Sequence, residues 1–179
     1  MPRIALPDNQ GEMPATLAFS TYATKLADAA LNFTLTAYQN SLLSMRELEG
    51  ARYRTALING CEVCQSARGM ESAEFLKGAG GDIDKSPFAR GPAPDSAFYD
   101  AVTQWRTSPL FSERERIAIE MAERMGERPH SMAGDEEFWE KVHRHFSDEE
   151  IVDMTLSIGS WISMGRVVHT LELDEVCAI

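Results

Sequence analysis

Two Ser-x-x-Glu boxes, Ser112-Glu113-Arg114-Glu115 and Ser147-Asp148-Glu149-Glu150, constrain most what this chain can fold into. In each, the serine hydroxyl can accept from the backbone N–H three residues on while the glutamate reaches back, so each box marks a helix start. The first predicts a helix through about Met125 and the second a helix through about Leu171. Apolar residues recur at helical spacing elsewhere and alternating strand patterns are scarce, which makes the expected class all-α. Residues 14–43 read as one or two helices, with Pro14 at a permissible first-turn position and Leu17, Leu26, Ala30, Phe33, Leu35 and Tyr38 on an imperfect apolar face. A helix over about 45–58 places Leu48, Ala51, Thr55 and Ile58 on one side and its charges elsewhere, and stops at Asn59-Gly60. Two more are expected: about Asp95 to Thr107 with Phe98, Ala101, Val102 and Trp105 at helical spacing, and about Asp135 to His145 with Phe138, Val142 and Phe146 inward. A long Gly/Pro loop, about 78–94, joins the halves of what reads as one domain over 1–179.

A chain of 179 residues can bury a core without metals or disulfide staples, so stability need not explain its cysteines. The net charge of -11 and isoelectric point near 4.8 oppose binding to phosphate backbones or anionic lipid, and no Lys/Arg cluster reverses the balance. The start, Met1-Pro2-Arg3-Ile4-Ala5-Leu6-Pro7-Asp8, lacks a continuous apolar run, and no later run approaches the roughly 18 to 20 apolar residues of a membrane span. A cytoplasmic protein is expected, with no nucleic-acid or membrane partner and no cofactor.

The chemistry concentrates in Asn59-Gly60-Cys61-Glu62-Val63-Cys64. A Cys-x-x-Cys straight after a helix-breaking Asn-Gly predicts a new helix from about Cys61 to Lys77, stopped by Gly78-Ala79-Gly80-Gly81. Cysteines three apart in a first turn share a face and can close a small disulfide loop, so the pair can cycle between dithiol and disulfide. The helix start favours the thiolate, the form that attacks and is oxidised. Arg68, four residues beyond Cys64, is expected on the same face, where its charge makes Cys64 the better-activated thiol. Half of a zinc site is an alternative, but a tetrahedral site needs four ligands, and only His169 and Cys177 could add to the pair. A purely structural disulfide is another. Cys177 is expected to stay outside the redox cycle.

Glu49 lies twelve residues before Cys61, and that spacing resembles the motif of the carboxymuconolactone decarboxylase-like family, specifically its alkylhydroperoxidase D-like branch. The resemblance extends through Arg46-Glu47-Leu48-Glu49 to Asn59-Gly60-Cys61, Trp105 to Arg116, and His145-Phe146-Ser147-Asp148-Glu149-Glu150, about two-thirds of the chain. It implies a compact all-α bundle that assembles into dimers, trimers or hexamers, with a thiol-dependent peroxidase site. In that branch the second cysteine attacks the peroxide, the first resolves the sulfenic acid to a disulfide, and a glutamate with a histidine relays protons. The resemblance thus implies catalytic roles for Cys64, Cys61 and Glu49, with a peroxide substrate and a dithiol reductant as partners.

The family's relay histidine, four residues after the second cysteine, is Arg68 here. A guanidinium can stabilise a thiolate but cannot be deprotonated to shuttle a proton. Proton delivery is then left to Glu49, to water, or to His143, His145 or His169 arriving in space. Glu49 itself could be half of a helix-surface ion pair with Arg52. Three functions stay open: reduction of hydrogen peroxide or organic hydroperoxides through a dithiol cycle, decarboxylation or isomerisation of a lactone acid, and a non-catalytic oligomeric redox sensor. The broad apolar surface of the last helix, from Ile151 through Ile158, Trp161 and Val168, points to homo-oligomer assembly.

Overall fold

The computed structural model describes residues 1–8, 11–68, 77, 82 and 84–175, and its regular structure is helical, with no strand among them. The stretch from residue 14 to 43 forms two helices, α1 (Pro14–Thr21) and α2 (Thr24–Asn40), parted where Ala23 takes a left-handed φ of 49°. A third capping box opens α3 (Met45–Asn59): the Ser44 hydroxyl accepts from the Glu47 N–H, and the Glu47 carboxylate accepts from the Ser44 N–H. Gly60 ends α3 with φ of 69°, a conformation that costs glycine nothing because it has no Cβ. After the short α4 (Glu62–Ser66) come α5 (Ser96–Ala101), continued as a 3₁₀ turn to Gln104, then α6 (Glu113–Glu127), α7 (Glu136–His145) and α8 (Asp148–Thr170). Ser112 and Ser147 cap α6 and α8 with both halves of each box formed.

The expected helix from Cys61 to Lys77 is shorter where it is described. It stops at Ser66, and Ala67 turns out of it with ψ of 114°. Residues 69–76, with Gly78 to Gly81, lie outside the described residues. Of the Gly/Pro loop, Pro87–Ala89 form a 3₁₀ turn, and the Arg90 Nε donates to the Leu43 carbonyl at 3.2 Å, which holds this segment against the start of α3.

Helix α3 runs through the middle, packed along α6 on one side and α8 on the other, with α2 across α8. Leu48 and Ala51 of α3, Ile117 and Met121 of α6, and Met154 and Ile158 of α8 are fully buried together. Each large side chain so buried stabilises the fold by roughly 1.5–3 kcal/mol. The expectation that the charges of α3 lie away from its packed side fails. Glu47, Glu49 and Arg52 are all buried, because α6 and α8 cover the helix from two directions, while Ile58 is only half-buried. Glu47 pairs with Arg114 of α6, whose guanidinium also donates to Glu150 of α8 at 2.7 Å, so the buried charges are compensated and tie three helices together. Helices α3 and α8 approach closely at Gly165, where an added Cβ would stand 2.5 Å from the Asn59 Nδ2. Among the described residues no helix is long and apolar enough to cross a membrane.

Candidate active site around the Cys61–Cys64 disulfide

Asn59-Gly60 does locally what its chemistry demands: α3 ends, the chain reverses through the left-handed glycine, and Cys61 becomes the residue that caps α4. Cys61 and Cys64 then stand with their Cα atoms 5.3 Å apart and are joined by a disulfide. The two sulfurs are not equivalent. Cys61 is completely buried among Ala18, Val168 and Leu173, whereas Cys64 is half-buried and lines a cavity of about 160 Å³ with Tyr38, Arg52 and Trp161.

Behind Cys64 lies a buried polar cluster. Glu49 has no exposed surface, and its carboxylate accepts four hydrogen bonds. Oε1 accepts from the Arg52 Nε at 2.7 Å and the Tyr38 hydroxyl at 3.2 Å; Oε2 accepts from the Arg52 guanidinium at 2.9 Å and the Tyr99 hydroxyl at 2.7 Å. Arg52 also donates to the carbonyls of Cys64 at 2.6 Å and Ala67 at 2.5 Å. Arg52 therefore caps the C-terminal end of α4 and fixes the backbone that carries Cys64 to α3, while Glu49 holds Arg52 in place. Burial alone would lower the guanidinium's proton affinity, but Glu49 and the two tyrosines outweigh it and raise the pKa of Arg52. Burial first, and the Glu49 charge second, push the Tyr38 phenol well above its ordinary value, so it stays a protonated donor. The surface ion-pair alternative for Glu49 is thus ruled out by its burial.

Arg68 is not on a helix face shared with Cys64, because α4 ends two residues earlier. Its guanidinium lies over the rings of Tyr99 at 5.1 Å and Tyr53 at 5.6 Å and reaches Asp100 at 3.7 Å. It joins the cluster from the Tyr99 side. Of the candidate histidines, His143 pairs with Asp148 at 3.5 Å and is exposed, and His145 accepts from Arg114 through its carbonyl, away from the cysteines. His169 stands beside the cysteines. Its Nδ1 is 2.9 Å from the Asp174 Oδ2, which also accepts the Glu62 N–H at 3.2 Å, and its Nε2 lies 3.1 Å from where a Cβ on Gly60 would be. Burial raises the affinity of Asp174 for a proton, but the bonds from His169 and the Glu62 N–H outweigh it and lower its pKa. Cys177 lies outside the described residues. Among those described, no three His, Cys, Asp or Glu side chains stand together in a way that could hold a metal ion.

Sequence reasoning missed Tyr38, Tyr99, Trp161 and Asp174 and undervalued Arg52. Arg52 carried a signal, since it stands three residues after Glu49. Tyr38 and Tyr99 carried none, because they reach Glu49 across separations of 11 and 50 residues.

No known protein-family profile matches the sequence. Over 115 residues the chain is 37% identical to the uncharacterised protein YnjA of Escherichia coli, a match that spans 64% of this chain and about half, 52%, of that protein. In three dimensions it is similar to a protein of unknown function from Agrobacterium tumefaciens described as a candidate antioxidant defence protein AhpD, with a TM-score of 0.62, 23% identity, and coverage of 90% of this chain and 96% of that one. It is also similar to the apo form of the debrominase Bmp8, with a TM-score of 0.64 and 16% identity over 92% of this chain and 77% of that one. The chain therefore has an all-α, AhpD-like fold.

Proposed function

We propose that this chain is a thiol-dependent peroxidase of the carboxymuconolactone decarboxylase-like family, alkylhydroperoxidase D-like branch, working as a cytoplasmic homo-oligomer of one-domain subunits. The observation that carries the reading is the asymmetry of the disulfide: Cys64 opens on a cavity while Cys61 is sealed behind it. In the reduced protein the Cys64 thiolate attacks the terminal oxygen of a hydroperoxide. The O–O bond breaks, hydroxyl stays on sulfur as the sulfenic acid, and the other oxygen leaves with the electron pair and takes a proton from water. The Cys61 thiolate then attacks the Cys64 sulfur and expels hydroxide, which takes a proton from solvent to become water, forming the disulfide. An external dithiol attacks the accessible Cys64 sulfur, releases Cys61, and closes its own disulfide, so two electrons pass from the reductant to the peroxide. Arg52 and Glu49 position Cys64 in this cycle, and Arg68 acts from beside the helix to favour the thiolate.

Steady-state peroxide consumption with a dithiol reductant tests the reading. Each peroxide should remove two thiols, from Cys61 and Cys64, and the reductant should return them. Protein that leaves peroxide unconsumed would sink it, and carbon dioxide release from a lactone acid would mark the decarboxylase chemistry instead. Arg68→Ala should move the pH midpoint of Cys64 alkylation upward; an unchanged midpoint removes Arg68 from the site. One observation favours the sensor reading as second: the Glu49 carboxylate is committed to four donors and Arg68 cannot shuttle protons, so neither residue serves as the relay that the resemblance implies. A sensor would oxidise once per protein without sustained turnover.

A further inference from the structure

Cys61 poses a problem of proton transfer. It is completely buried among Ala18, Val168 and Leu173, and an apolar surrounding disfavours a thiolate, yet its thiol has to lose a proton before the disulfide can close. The cluster of Glu49 and Arg52 is bonded to the other end of α4, at the carbonyls of Cys64 and Ala67. The Cys61 end has a pair of its own, His169 and Asp174. Two separate contacts bring that pair to Cys61. The Asp174 Oδ2 accepts the N–H of Glu62, one residue after the cysteine, at 3.2 Å. The His169 Nε2 lies 3.1 Å from where a Cβ on Gly60, one residue before it, would be. Val168 and Leu173, which pack on Cys61, are the chain neighbours of His169 and Asp174. Gly60 is thus needed twice, for its left-handed φ and for the approach of the ring. Nδ1 stands 2.9 Å from the Asp174 Oδ2, and a carboxylate there holds the ring proton on Nδ1 and leaves the Nε2 lone pair to act as a base. Asp174 is buried, whereas the His169 side chain is 53% exposed, so a proton taken up by the ring has a way out to water. The other charged groups nearby are Glu62, which is exposed, Glu172, which pairs with Arg3, and Arg166, which donates to Asn59 and to the Gly126 carbonyl. Helix α1, which supplies Ala18, carries no titratable side chain.

We propose that His169, oriented by Asp174, is the proton-transfer residue for Cys61, the resolving thiol. The proposal rests on the dithiol–disulfide half of the function proposed above and applies to any oxidant that modifies Cys64. It differs from the relay histidine that the resemblance implies, which would stand four residues after Cys64 and serve the attacking thiol. Once Cys64 is a sulfenic acid, Nε2 takes the proton of the Cys61 thiol and the Cys61 sulfur attacks the Cys64 sulfur. The S–O bond breaks, hydroxide leaves and takes a proton from solvent, and the imidazolium gives its own proton to solvent. In the reductive half, an external thiolate attacks Cys64, the S–S bond breaks, and Cys61 leaves with the electron pair. The imidazolium then protonates it, so the leaving group departs as a neutral thiol. Asp174 is a positioning residue in both directions: it fixes the tautomer and favours the imidazolium while that form exists.

The test replaces peroxide with dithiodipyridine, mixed in stopped flow with the reduced protein. The Cys64 thiolate attacks one reagent sulfur and releases the first thiopyridone in a phase whose rate scales with reagent. The Cys61 thiolate then attacks the Cys64 sulfur and releases the second in a phase whose rate does not. His169→Gln keeps a donor for Asp174 but has no basic nitrogen. It should slow the second phase roughly hundredfold at about pH 7 and leave the first within about twofold, and the deficit should close by about pH 10, where hydroxide removes the proton instead. His169→Ala should show the same defect and recover with added imidazole, which can enter from water. Asp174→Asn should slow the second phase as well, though less than His169→Gln. A second phase as fast as wild type in His169→Gln, a loss shared by both phases, or a loss that neither high pH nor imidazole relieves overturns the role of His169. An unchanged second phase in Asp174→Asn overturns the orienting role. Wild type that releases a single thiopyridone is a separate outcome: the two thiols do not cycle, and the dithiol chemistry falls together with this assignment. Wild type that shows both phases yet consumes no peroxide sinks the peroxidase reading and leaves the role of His169 standing.

Discussion

Glu49 and Arg52 bury opposite charges against each other, so removing one leaves the other stranded in a medium that cannot hydrate it. Glu49→Gln should therefore destabilise the protein by about 3–5 kcal/mol, read as a lower urea midpoint, and the double substitution with Arg52→Gln should cost less than the two single effects added together. Strict additivity would show that the pair is not coupled. Tyr99→Phe removes one donor of the four and should cost about 1 kcal/mol. The identity of this pair was legible in the chain, through the three-residue spacing, but its weight was not. An i, i+3 pair on an open helix face is worth a few tenths of a kcal/mol, and only the packing of α6 and α8 around α3 turns it into a buried strut.

Helix starts were the most legible part of the fold, because a capping box is a local chemical device that needs no distant partner. Ser112 and Ser147 open α6 and α8 as their boxes predict. Ser44-Met45-Arg46-Glu47 carries the same signal and opens α3, yet α3 buries charged and apolar residues alike, so its outline as an amphipathic helix is blurred. The end of α4 was not legible. Gln65-Ser66-Ala67-Arg68 contains no breaker, and the stop is stabilised by Arg52, whose bonds reach carbonyls 12 and 15 residues away. Gly60→Ala should destabilise the α3–α4 turn by roughly 1–2 kcal/mol, since it forces a side chain into left-handed backbone, and its Cβ would also press on His169. Thermal unfolding should show the loss. The caps between elements also set the acid limit. Glu123, Glu150 and Asp174 have pKa values below their ordinary ones: burial works against the shift in each, and bonds from Arg106 and Trp105, from Arg114, and from His169 respectively outweigh it. A carboxylate lowered in the folded state contributes stability that is complete above its unfolded value, about 4.3 for Glu and 3.9 for Asp, and is lost as pH falls through the folded value. The urea midpoint should therefore be steady above about pH 5 and fall below about pH 4. A Glu123→Gln variant should show a shallower fall.

At the scale of the whole molecule, the outer faces of α2 and α8 leave large apolar side chains in water: Leu26 is 73% exposed, Val152 56%, Leu156 53% and Phe33 45%. Phe33, Val152 and Leu156 line one shallow apolar hollow on the α2–α8 seam, and Leu26 lines a separate one. The breadth of the apolar surface on α8 was legible as an excess over one packing stripe. Which residues spend it on the core was not, because Met154, Ile158 and Trp161 turn inward only once α3 and α6 are in place. A net charge of -11 keeps separate subunits apart by repulsion, so assembly through this seam has to gain more from apolar burial than it loses in charge, and added salt should strengthen it. We expect the wild type to scatter light at a multiple of its 19.9 kDa subunit mass at micromolar concentration, with the multiple populated more fully in high salt. Val152→Asp with Leu156→Lys should return it to subunit mass with little change in unfolding temperature, since both side chains lie on the surface of a single subunit. A wild type at 19.9 kDa across salt would leave these side chains without the partner subunit proposed for them, and a double variant that keeps the higher mass would place the interface on another face.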